Sequence, residues 1–149
     1  MRTIQKLELF FGATTLISAG IEFYIDGIPQ IKRIANLNGS TSIEEAIAGA
    51  FLFLLLPAML TFFGAYTHTI WQSRLGFISL LIGGGVLVLI VGIGLFSGAI
   101  FYSHGFPQGL LIAVPHFAAL ITLVSAIYFR KLYMKRVVTR SMDANFTTR

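Results

Sequence analysis

Leu75 to Ile100 reads LGFISLLIGGGVLVLIVGIGLFSGAI, a run without a single charge that holds Gly76, Gly83, Gly84, Gly85, Gly92, Gly94 and Gly98. A helix needs about 20 apolar residues to cross a bilayer core. So much glycine weakens a helix in water. In lipid it lets neighbouring helices approach closely. The stretch therefore predicts a transmembrane helix that is packed on by others. Gly85, Gly92 and Ala99 recur every seven residues, and Gly94 to Gly98 forms a G-x-x-x-G. Gly83, Gly84, Gly85, Gly92, Gly94 and Gly98 are the expected helix-packing positions.

The rest of the chain sets the same solvent. Only 11% of its residues are charged and the mean hydropathy is +0.82. A soluble domain carries roughly 25% charged residues. The expected fold is an all-α integral membrane protein, a single domain spanning residues 1–149, with four transmembrane helices in an up-and-down bundle. The expected spans are 7–25, 46–66, 75–100 and 110–129. An outer loop covers 26–45 and a basic tail covers 130–149. Arg2 and Lys6 before an apolar run suit a signal peptide, but Glu8 and the lack of an A-x-A site favour a retained first helix. Ser42-Ile43-Glu44-Glu45 fits a capping box, which starts the second span near Ile43. Pro57 predicts a kink in that span.

Orientation follows from Lys and Arg. Four spans place Arg2, Lys6, Arg74, Arg130, Lys131, Lys135, Arg136, Arg140 and Arg149 on one side, against Lys32 and Arg33 on the other. Both termini are then cytoplasmic, in a plasma or inner membrane. The tail RKLYMKRVVTR is expected to extend the fourth span and rest on anionic lipid headgroups. No groove-reading motif accompanies the net charge of +5, so no nucleic-acid partner is expected. The chain has no cysteine, which excludes thiolate metal sites and disulfides within it.

Ionisable residues inside a span need a partner or water. Glu8, Thr15 and Glu22 recur every seven residues in the first span, with Gly12, Ser18, Ala19 and Asp26 near the same line. This stripe should face the other helices. Glu22 and His116 fall at similar depth if the first and fourth spans are neighbours. With Asp26 and His104 they are the candidate polar site, for a cation, a proton or a substrate head group. The competing reading has His116 bonded to a backbone carbonyl and Glu22 reaching outer water. Glu8 is expected to pair with Lys6, or with Arg130 and Lys131. His68 is expected in a link, Thr67 to Arg74. Ala118, Thr122, Ser125 and Phe129 are expected on a different face from His116.

No catalytic residues are assigned. A bis-histidine haem needs two histidines at matching depth, and only His116 is expected within a span, so a haem would need an unusual ligand, a loop ligand or a second chain; a paired Glu-x-x-His di-iron site, a G-x-S-x-G elbow and H-E-x-x-H all lack their residues. The residues leave cofactor and metal unspecified. Three functions compete. The favoured one is a non-enzymatic packing or accessory subunit of a homo-oligomer or larger membrane complex, acting through the glycine helix. The second is a small transporter or channel using the Glu/His site. The third is a membrane enzyme or cofactor carrier at the outer His/Glu cluster.

Overall fold

The computed structural model describes residues 3–27, 43–96 and 106–146, and among these all but Gln72 and Ser73 are helical. The first helix, α1 (Thr3–Glu22), runs into a wider π turn at Phe23–Gly27. α2 (Ile43–Ala50) passes through a π segment, Phe51–Leu55, into α3 (Leu56–Trp71). α4 (Arg74–Phe96) and the long α5 (Phe106–Phe146) complete the described chain. Among the described residues three helical stretches are long and apolar enough to cross a membrane: Thr3–Ile25, Ile47–Trp71 and Ile112–Leu132. Arg74–Ile90 is a shorter apolar helix.

Several sequence expectations change in detail. The second apolar stretch does not stop at Tyr66. It stays helical to Trp71, so His68 belongs to α3 and the link shrinks to Gln72 and Ser73. Gln72 makes the reversal in left-handed backbone, φ 51°, and its N–H caps the Thr67 carbonyl. Ser73 starts the next helix, its hydroxyl accepting the Gly76 N–H at 3.2 Å. The expected kink at Pro57 is a π segment one residue upstream. Proline offers no N–H, and its ring crowds the carbonyl four residues back, that of Phe53. Widening the turn at Phe51–Leu55 absorbs both effects. The segment after Phe129 continues α5 without a break to Phe146. Residues 97–100, the end of the expected third span, lie outside the described residues.

α1 packs against α3 and α5, and α4 packs against the same two helices. α1 and α5 are thus neighbours, as the depth argument for Glu22 and His116 required. Among the described residues, seven of the ten buried apolar ones are alanines: Ala19, Ala58, Ala65, Ala113, Ala118, Ala119 and Ala126. Small residues bring helix axes close, so the interior is a narrow seam. Phe10, Ile17, Phe53, Leu75 and Leu89 point outward and are each more than half exposed. Large apolar groups outside and small ones inside suit lipid as the surrounding solvent.

Glycine sets the contact between α3 and α4. A Cβ on Gly83 would lie 2.5 Å from the Pro57 carbonyl oxygen and 2.8 Å from the Thr61 nitrogen. One on Gly64 would lie 2.5 Å from the Leu80 nitrogen, and one on Gly76 would meet His68 nitrogen and the Thr67 hydroxyl. These backbones touch because no side chain separates them. Gly84 turns the other way, onto Leu123 of α5, while Gly85 has nothing within 4 Å. The side-chain surroundings of Gly92 and Gly94, and all of Gly98, are outside the described residues.

Candidate functional site

All four long helices meet at one imidazole. His68 sits on the inward face of α3, in register with Thr61, Gly64 and Ala65, which are also buried. Its Nδ1 lies 2.7 Å from Oε1 of Glu8 on α1. Phe77 of α4 and Phe129 of α5 close the other sides, with ring centroids 5.2 Å and 5.6 Å from the imidazole. Gly76 precedes Phe77 and lets α4 approach the His68 backbone. Gln5 strengthens the same end, donating from Nε2 to the Thr69 carbonyl at 3.2 Å.

The expected partners of Glu8 were cations, and the structure replaces them. Lys6 and Lys131 are exposed, and Arg130 stacks its guanidinium 4.2 Å from the Phe77 centroid. Glu8 turns inward because it shares the buried line of Gly12, Thr15 and Ala19. Phe77 lies in ring contact with the imidazole that Glu8 bonds and under the guanidinium of Arg130. Glu8 is wholly buried, and its Oε2 has no hydrogen-bond partner among the described residues. A carboxylate in this position keeps its charge only at a large desolvation cost, unless a proton or a cation neutralises it.

His116 lies toward the opposite end. Its Nδ1 is 2.8 Å from the Leu87 carbonyl oxygen of α4. A carbonyl only accepts, so Nδ1 carries the hydrogen and donates it; in the neutral ring Nε2 holds the lone pair. This is the backbone-carbonyl reading of His116. Ala118, Thr122, Ser125 and Phe129 lie on a different face of α5 from His116: Thr122 lies against Gly12 of α1 and Phe129 against His68 of α3, while His116 bonds to α4, and Ala118, Thr122 and Phe129 are buried as His116 is. α5 is wedged between α1 and α4, which makes its buried arc wide enough for both.

Glu22 closes α1 and is half-buried. Asp26 lies in the following π turn, its side-chain surroundings outside the described residues, as is His104 altogether. Between the two ends, Thr15, Thr61 and Thr122 are fully buried, and each hydroxyl donates to the carbonyl four residues back at 2.8 Å. Among the described residues no group of three His, Asp or Glu side chains converges as a metal site would require.

Sequence reasoning missed the Glu8–His68 pair. A signal was present, since His68 continues the spacing Thr61, Gly64, Ala65 by one more turn. Comparison with protein-family models, characterised proteins and solved structures finds no match.

Proposed function

We infer that the chain is a multi-pass protein of a plasma or inner membrane, with α1, α2–α3, α4 and α5 as four up-and-down spans and both termini cytoplasmic. Its role is that of a non-enzymatic packing subunit, assembling with further copies of itself through the outer face of α4. One observation carries this reading. Gly83 and Gly84 are filled by neighbours within the chain, while the adjacent Gly85 faces open space. Gly92 and Ala99 follow it at seven-residue intervals. A notch of small residues on a lipid-facing helix admits a second backbone, and packing in lipid depends on such approach. Ile78, Ile82 and Leu89 flank the notch and are about half exposed or more, which supplies side chains to interdigitate. The basic residues at the end of α5 would rest on anionic headgroups.

The transport reading needs a hydrated route along the axis. The fully buried, internally bonded threonines lend it no support.

Gly85→Leu tests the assignment. It fills the notch without touching an internal neighbour, so the protomer stays folded and association is lost. Gly20, on α1, also has nothing within 4 Å and serves as the control. Gly20→Leu leaves association intact. Equal loss from both substitutions, or none from Gly85→Leu, removes α4 as the interface.

A further inference from the structure

We propose that Glu8 and His68 form a buried proton-binding site at the basic end of the helices, with Arg130 as its counter-charge. The site is independent of the α4 interface. Three observations carry it. The two groups are in hydrogen-bond contact at 2.7 Å, with side-chain exposures of 0% for Glu8 and 6% for His68. Oε2 of Glu8 is enclosed and without a partner among the described residues. Residues of all four long helices shape the pocket.

The charge states follow from these contacts. Without the proton, the Nδ1–H of His68 donates to Oε1 of a carboxylate, and the pair carries one negative charge. With it, the proton lies on Nε2 of His68 or on Oε2 of Glu8, and either placement leaves the pair neutral. Burial favours the neutral state of the pair. Of the two side chains only His68 retains any exposure, 6%.

The surroundings supply few competing charges. On α1, Lys6 is exposed; α4 brings Arg74, also exposed; α5 brings exposed Lys131 and half-buried Arg130. Only Arg130 connects to the pair through a described contact, by way of Phe77, whose ring touches both its guanidinium and the imidazole. When the proton leaves, Arg130 is the cation placed to offset the negative charge.

The test is nuclear magnetic resonance of the full chain in lipid nanodiscs, with labelled histidine nitrogens and glutamate carboxyl carbons, titrated over about pH 4 to 9. In the wild type, the His68 nitrogens and the Glu8 carboxyl carbon change together, with one common midpoint. Glu8→Gln lowers the proton affinity read at His68 at least tenfold, and Arg130→Gln raises the affinity of the pair two- to fivefold. Independent midpoints near the ordinary values, about 6.5 for histidine and about 4.3 for glutamate, overturn the proposal without any variant. So does a Glu8→Gln protein whose His68 titrates as in the wild type. An Arg130→Gln titration within measurement error of the wild type overturns the counter-charge assignment.

Discussion

Alanine at each of three consecutive glycines should have three different costs. At Gly83 the new methyl would sit 2.5 Å from the Pro57 carbonyl oxygen, 2.8 Å from Leu60 Cβ and 2.8 Å from Thr61 nitrogen. A carbon rests about 3.3 Å or more from a carbonyl oxygen, so α4 must retreat from α3 by about 0.8 Å. A gap of that size forfeits between a quarter and a half of each dispersion contact it opens. The Gly64–Leu80 and Gly76–His68 approaches lie on the same interface and share the loss. Overpacking of a tight contact costs about 1–3 kcal/mol, and rigid backbone on both sides places Gly83→Ala in the upper part, about 2–3 kcal/mol. That is roughly a 30- to 160-fold shift toward the unfolded state. At Gly84 the clash is with Leu123 alone, at 2.8 Å to Cγ, and a side chain can turn aside. An off-rotamer leucine costs about 0.5–1.5 kcal/mol. At Gly85 nothing is met, and alanine's helix preference makes the change neutral or favourable by up to about 1 kcal/mol. Unfolding by a denaturing detergent added to mild-detergent micelles, followed by Trp71 fluorescence and circular dichroism, gives the ranking. Equal costs at the three positions, or the largest cost at Gly85, would refute the helix register on which the interface rests.

Other outcomes follow from the same contacts. Gln72→Gly should raise stability by up to about 1 kcal/mol, because glycine adopts the left-handed conformation without a Cβ clash; a lower thermal midpoint would count against this turn. Ser73→Ala should cost about 1 kcal/mol by removing the acceptor of the Gly76 N–H, measured in the same unfolding series. His116→Ala deletes the donor to the Leu87 carbonyl and should destabilise by about 1–3 kcal/mol while leaving association unchanged; a lost oligomer would tie His116 to the interface. Single cysteines at Thr3 and Thr148, in a chain that has none of its own, should react with an impermeant reagent only from the cytoplasmic side, and one at Ser40 only from outside. Any other labelling pattern contradicts the four-span topology.

How much of this was legible in the sequence depended on whether a feature was local. The buried line Glu8, Gly12, Thr15, Ala19 on α1 follows from helical spacing alone. So does the seam of Pro57, Thr61 and Gly64 on α3. The start of the second helix at Ile43 follows from Ser42-Ile43-Glu44-Glu45 as a local pattern. The end of α3 was harder to read. Tyr66 and Trp71 suit an interfacial belt, and this hid the further turn that carries His68 inward. The left-handed Gln72 carries no sequence signal, since glycine or asparagine is the usual residue there. Partners were the least legible. Glu8 sits two residues from Lys6, and charge alone points to a cation. Which helix faces α1 at that depth decides instead for His68. The triple glycine illustrates the same limit. Composition marks Gly83, Gly84 and Gly85 alike as packing residues, yet each faces a different direction: α3, α5 and the exterior.

The packing role requires that exterior face to be an interface between copies. Native mass spectrometry of the protein, extracted in mild detergent from its own membrane, tests it most directly, with Gly85→Leu alongside. The wild type is expected as a homo-oligomer and Gly85→Leu as a folded monomer. A wild-type monomer, or an oligomer that survives Gly85→Leu, would contradict it.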